Sequence, residues 1–278
     1  MKLYVSIDME GMPGTFNWEH EKTNRAAVKQ AMMDHVTDLI EAVKSSAQNS
    51  EISEILVADS HSAGDNLDYS ITALDDRVNL ISGGPRPLYM MPMLDESFNQ
   101  VFLLGYHAGT GALKGNMDHS YSNSRIQKIW INGIRMSEAL INAAYAGSLG
   151  VPVSLVSGDL ALQNELLAPD AMPWLHYVCT KEAHSKFSAK LYPKYKVQRE
   201  FIAAVHSALR HPIYPLYKLD SPYELKIEFH STAMTDQACL MPYVKRLDGR
   251  TVTYTDKDYS VVFEAIMALV TLASTASI

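Results

Sequence analysis

Cysteine is scarce in this chain, with only Cys179 and Cys239 among 278 residues. So few thiols exclude a disulfide framework and fit a reducing, cytoplasmic setting. Basic charge is short as well. Lys and Arg number 24 against 31 Asp and Glu, for a formal net charge of -7, and this balance argues against nucleic acid or an anionic membrane surface as a partner. Long apolar runs are missing. The longest, residues 261–273, is interrupted by Glu264 and is too short to span a bilayer, so it reads as a buried helix. No charged n-region with a following apolar h-region and cleavage site opens the sequence. Internal repeats, low-complexity tracts, long linkers and the compact metal motifs HExxH and CxxC are also absent.

What is present is a succession of apolar strands that break into polar groups. Leu3, Val5 and Ile7 alternate with Tyr4 and Ser6, and the strand runs into Asp8 and Glu10 before Gly11, Pro13 and Gly14 stop it. Residues 54–58 form a second strand ending in Asp59-Ser60-His61-Ser62, residues 78–81 a third, and residues 100–104 a fourth ending in Gly105-Tyr106-His107-Ala108. Between the first two, residues 18–49 lack Pro and Gly and carry apolar side chains at three- and four-residue spacing, which predicts one long amphipathic helix. A polar loop over 108–123 holds Met117-Asp118-His119-Ser120. Asn132-Gly133 between two apolar runs predicts a hairpin with a type I′ turn, and Ser137 caps a helix whose first turn carries Glu138. Further strands are expected over 151–156, 174–180, 224–229 and 250–255, with helices over 160–167, 196–210 and 259–275.

The fold class is therefore α/β: a mainly parallel central sheet flanked by helices, with a smaller α+β second subdomain. The expected division is 1–180 for the α/β unit and 181–278 for the subdomain, the boundary falling somewhere within 165–195. In open α/β sheets ligands bind outside the carboxyl ends of the strands. Asp8, Glu10, His61 and His107 all belong there, joined by Glu138 from a helix start and His119 from the loop. Carboxylates and imidazoles together suit zinc. Two metals about 3.5 to 4 Å apart need a bridging carboxylate, flanking ligands and an open position, as in di-metal hydrolases. The same side chains also suit a hydrogen-bonded loop network without metal. Asp8 and Glu10, at i and i+2, share a face of an extended chain, which makes Asp8 the candidate bridge.

The ordered motifs Ser6-Ile7-Asp8-Met9-Glu10-Gly11, Asp59-Ser60-His61-Ser62, Gly105-Tyr106-His107-Ala108, Met117-Asp118-His119-Ser120 and Ser137-Glu138 resemble those of the DppA-type D-aminopeptidases, the M55 family of metallopeptidases. The resemblance covers nearly the whole chain, including Leu240-Met241-Pro242 and the closing helix. It implies a hydrolase that removes the N-terminal residue of short, D-amino-acid-containing peptides by metal-activated water. It also implies two zinc ions per subunit, held by Asp8, Glu10, His61, His107 and Glu138, with His119 as the catalytic residue, and a homodecamer of stacked pentameric rings. Ser137 stands where the family pattern has Gly and Lys186 where it has Arg, and the stretch from Thr15 to His20 departs from it. These changes bear on the substrate pocket rather than on the ligands. Two other readings use the same residues: a di-metal phosphoesterase, for which Arg125 and Lys114 are the candidate cations, and a non-catalytic metal-stabilised peptide-binding assembly.

Overall fold

The layering follows from β1 (Lys2–Ile7), whose side chains divide between two cores. Leu3, Val5 and Ile7 point into one and Tyr4 into the other, all of them buried. A strand apolar on both faces needs a covering layer on each side. The computed structural model, which describes residues 1–211 and 213–276, has that arrangement. β1 pairs in parallel with β2 (Glu54–Asp59) on one side and β4 (Gln100–Tyr106) on the other. β3 (Val78–Ile81) lies outside β2, and β7 (Val153–Asp159), β8 (His176–Ser185) and β9 (Ser188–Leu191) continue beyond β4. The order is β3-β2-β1-β4-β7-β8-β9, parallel throughout except for the β8–β9 pair.

A second, antiparallel sheet has the order β11-β12-β10-β5-β6. It is built from β5 (Ile126–Ile131), β6 (Ile134–Arg135), β10 (Tyr223–Phe229), β11 (Lys245–Arg246) and β12 (Thr251–Asp256). The β5–β6 turn has φ 50° at Asn132 and 79° at Gly133, the pair of positive values a type I′ turn requires. One face of the first sheet is covered by α2 (Arg25–Ser45) and α5 (Lys194–Arg210). Its other face meets α3 (Glu138–Ser148) and α4 (Leu160–Leu166). α6 (Thr232–Ala238) and α7 (Tyr259–Ser274) pack on β10 and β12, and α7 also touches α3, so the two sheets share one core. Glu264, the charge that interrupts the apolar run of α7, accepts from the Leu88 backbone N–H at 2.7 Å. Among the described residues no helix is long and apolar enough to cross a membrane.

One expectation needs correction. The single helix over 18–49 is in fact two, α1 (Trp18–Thr23) and α2, separated by Asn24 with φ -139° and ψ 48°. Apolar periodicity cannot register a break that leaves both pieces helical; here the non-helical backbone of Asn24 ends the first piece after its N–H has made the last helical bond, to the His20 carbonyl. The division at 180/181 falls inside β8. β8, β9 and α5 complete the first sheet, whereas β5 and β6 precede that point and belong to the second. Strand pairing joins segments far apart in sequence, so no single cut separates the sheets. β9, α6 and β11 were not expected.

His35, on α2, illustrates how the core treats a titratable group. It is buried, stacks on Phe201 with centroids 4.1 Å apart, and places Nε2 2.9 Å from Ser157 Oγ. Burial pushes its pKa down to about 4. Folded His35 thus stays neutral where the unfolded residue, near its ordinary 6.5, takes up a proton. This contribution to stability is complete above about pH 6.5 and is lost as pH falls toward about 4, with about 2 kcal/mol disappearing between pH 7 and pH 5. Urea denaturation of wild type and His35→Leu at both pH values should show the variant losing that much less. Equal losses in the two proteins would remove His35 as the cause.

Candidate metal centre

The centre forms where three adjacent parallel strands end together. β1 delivers Asp8 and Glu10, and its neighbours β2 and β4 deliver His61 and His107. Gly11 lets the chain leaving β1 pass against the end of β4: its N–H bonds to the Gly105 carbonyl at 2.6 Å, and a Cβ there would lie 1.9 Å from the Tyr106 oxygen. Ser137 caps α3 by accepting from Leu140 N–H, which sets Glu138 in the first helical turn. The loop between β4 and β5 brings His119 over the same spot. The structure therefore unites all six side chains expected of a site.

Their geometry is tight. His61 Nδ1 lies 3.1 Å from Asp8 Oδ1 and 3.3 Å from Glu10 Oε2. His107 Nε2 is 3.5 Å from Asp8 Oδ2 and 3.6 Å from Glu138 Oε1, and His119 Nε2 is 3.7 Å from Glu138 Oε1 and 3.8 Å from Glu10 Oε1. The rings of His107 and His119 stack almost parallel, with centroids 4.2 Å apart. Among the described residues, three sets of donor atoms lie close enough to hold an ion: Asp8, Glu10 and His61; Asp8, His107 and Glu138; Glu10, His107 and His119. Only the first two share Asp8, whose two oxygens face opposite ways between them.

Proton positions sharpen the chemistry. His107 Nδ1 donates to the Ala108 carbonyl at 3.0 Å and His119 Nδ1 donates to the Met117 carbonyl at 2.9 Å. Burial lowers both pKa values, that of His107 to about 3 with the neighbouring His119 adding to the effect, so both rings are neutral and carry a lone pair on Nε2. Those lone pairs point at carboxylate oxygens. His107 Nε2, Asp8 Oδ2 and Glu10 Oε2 are buried with no hydrogen-bond partner. Acceptors converging on acceptors are held apart by repulsion unless a cation lies between them, and a mixed oxygen and imidazole set fits zinc.

The acids record the same crowding. Burial, followed by the charge of Glu10, pushes the Asp8 carboxyl up to about 7, and burial with the charge of Asp8 holds Glu138 well above the ordinary range. Burial opposes charge on Glu10 too, but the charge of His61 more than reverses this and holds Glu10 well below its ordinary value. For His61 burial is likewise overcome, by the charge of Glu10 and by hydrogen bonds to Asp8 and Glu21, and its pKa is raised. A cavity of about 160 Å³ opens at the centre, lined by Asp8, Glu10, His61, His119, Tyr121 and Glu138 among others. It shares Ser62 and Tyr89 with a larger apolar groove of about 1420 Å³ bounded by α7.

Some residues acquire their importance only in three dimensions. Trp18 Nε1 donates to Glu10 Oε1 at 2.8 Å, and Glu21 Oε1 sits 3.1 Å from His61 Nε2. Lys181 on β8 reaches under the loop after β1. Its position at the end of a predicted apolar strand was the one available signal. Asp59 and Asp159 shape the local backbone. Asp59 accepts from the N–H groups of Asn66 and Leu67, and Asp159 caps α4 through Leu162 N–H and accepts from Asn116 N–H.

Comparison with known proteins agrees with this geometry. The family model for peptidase M55, D-aminopeptidase, matches residues 1–268. A D-aminopeptidase of Bacillus subtilis (strain 168) is 32% identical over 280 residues, covering 98% of each chain. The solved structure of DppA from Bacillus subtilis, described as a Zn-dependent D-aminopeptidase and a self-compartmentalizing protease, superposes over 100% of both chains with a TM-score of 0.90 at 30% identity. By sequence over nearly its full length and by fold, the chain belongs to the M55 family of D-aminopeptidases.

Proposed function

We propose that this chain is a zinc-dependent aminopeptidase that removes the N-terminal residue of short peptides, those beginning with a D-amino acid in particular. The observation that carries this reading is the convergence of unshared electron pairs from His107, Asp8 and Glu10 on one buried spot beside a small cavity. Asp8, Glu10, His61, His107 and Glu138 would hold two zinc ions, Asp8 being common to two of the donor sets. Bound zinc supplies Lewis-acid polarisation of the scissile carbonyl and a water activated at neutral pH.

The remaining chemistry falls to the protein. His119 keeps its proton on Nδ1 through Met117 and offers a bare Nε2 to the cavity. That atom can take a proton from the attacking water and return it to the departing amine. Cationic side chains suited to a phosphate are absent from the cavity wall among the described residues, which disfavours the phosphoesterase. Lys186 is engaged with Asp118 at 3.0 Å. We extend the proposal to a homo-oligomer acting in the cytoplasm, in the decameric form of stacked pentameric rings. The relative's self-compartmentalizing assembly and the two free cysteines of this chain support that extension.

Zinc-replete protein should release p-nitroaniline from D-Ala anilide faster than from L-Ala anilide, lose that activity to a chelator and recover it with zinc. No release from either anilide, or release indifferent to chelation, would count against the reading. Turnover of a phosphodiester instead would favour the alternative hydrolase. In the same assay His119→Ala should keep its zinc while kcat falls about 100-fold. Full zinc with undiminished turnover removes His119 from catalysis, and loss of zinc makes it a ligand.

A further inference from the structure

We propose that α1 is an orienting element for the centre: Glu21 sets the ring of His61, and Trp18 sets the carboxylate of Glu10. The inference rests on the zinc reading above. Glu21 and Trp18 lie three residues apart and therefore on one face of the helix. Both stand behind the ligands rather than on the cavity wall.

The chemistry of each contact is specific. His61 turns Nδ1 toward Asp8 and Glu10. For that nitrogen to present a lone pair, the ring proton must sit on Nε2, and Nε2–H then needs an acceptor. Glu21 Oε1 is there, 3.1 Å away. A carboxylate on the far nitrogen of a metal-ligating imidazole fixes its tautomer and raises the basicity of the coordinating atom. Glu10 has two oxygens that could face the centre. Indole N–H is a donor only, and by donating to Oε1 at 2.8 Å Trp18 directs Oε2, the oxygen without a hydrogen-bond partner, toward His61 Nδ1.

α1 is held in place by Trp18 itself. The indole packs edge-on against His119 and against Phe187, each with centroids 5.2 Å apart, and Lys186 Nζ lies 5.5 Å from the ring centre. Asn17 caps the helix by accepting from Glu19 N–H at 2.7 Å. No residue of α1 is fully buried. The helix therefore adds little to the core, and changes in Glu21 can be read at the metal without unfolding the chain.

The test is zinc affinity, measured on the full chain by competition with a chelating indicator, together with the melting temperature of the zinc-stripped protein. Glu21→Ala should bind zinc about 10- to 100-fold more weakly than wild type, with the zinc-free melting temperature unchanged. Glu21→Gln, whose amide oxygen still accepts the N–H but carries no charge, should fall between the two. Trp18→Phe keeps the ring packing, loses the donor and should weaken binding several-fold. Wild-type affinity in Glu21→Ala overturns the proposal and leaves the zinc reading standing. If Glu21→Ala does not fold, wild-type affinity in Glu21→Gln does the same. Wild-type protein that takes up no zinc overturns the reading on which the proposal depends.

Discussion

Alanine in place of Asp8 is expected to leave the protein folded but without its zinc and with kcat/KM on D-Ala anilide lowered at least about 10,000-fold, equivalent to about 5.5 kcal/mol of transition-state stabilisation. The size follows from position. Asp8 is shared by two of the donor sets, with Oδ1 toward His61 and Oδ2 toward His107, so its loss leaves each of those sets two donors. The fold should tolerate the change because the zinc-free Asp8 carboxyl is itself a burden. It is buried, its pKa is raised to about 7, and Oδ2 has no hydrogen-bond partner. Removing it should therefore leave the melting temperature of zinc-stripped protein level or slightly raised. Elemental analysis, anilide turnover and a thermal melt in chelator check the three parts. Stoichiometric zinc with turnover within tenfold of wild type would take Asp8 out of the metal site.

Lys181→Met is expected to lower stability by about 4 kcal/mol. The Lys181 side chain is fully buried, and its ammonium donates to the carbonyls of Glu10, Met12 and Thr15 and to the Thr15 hydroxyl. Burial lowers its pKa to about 7, with Asp159 opposing that fall, and an Nζ surrounded by oxygens alone finds a partner for every proton it carries. Methionine preserves the packing of the stem but leaves the Thr15 carbonyl unpaired and takes a charge-assisted bond from those of Glu10 and Met12, which keep only Thr15 as donor, at roughly 1–3 kcal/mol each. In a chain of this size about 4 kcal/mol corresponds to a melting temperature lower by about 10 °C. Because one of the three carbonyls is that of Glu10, zinc affinity should fall with stability. A melting temperature within about 2 °C of wild type would mean that the loop is held by other contacts.

Much of the candidate site could be read along the chain because each candidate ligand is tied to a local event. Asp8 and Glu10 end an apolar strand, as His61 and His107 end two others, and parallel pairing of those strands brings the ends together. Ser137-Glu138 signals a helix start, and Asn132-Gly133 signals its hairpin wherever the hairpin docks. The break at Asn24 was hidden because α1 and α2 both satisfy helical periodicity. The assignment of β8, β9 and α5 to the first sheet was hidden for another reason. Strands show which residues they bury, but not which distant strand they will pair with.

The sequence by itself determined the α/β class, the resemblance to a metallopeptidase family and the side chains offered to the centre. All of these are properties of short segments: periodicity, turn chemistry, and residue types at strand ends. Only the tertiary structure decided that Asp8 stands between two donor sets, that the lone pairs of His107 and His119 point at acids rather than at donors, and that Trp18, Glu21 and Lys181 stand behind Glu10 and His61. These are relations between atoms far apart in the chain, and they come into being when the ends of β1, β2 and β4 are packed side by side.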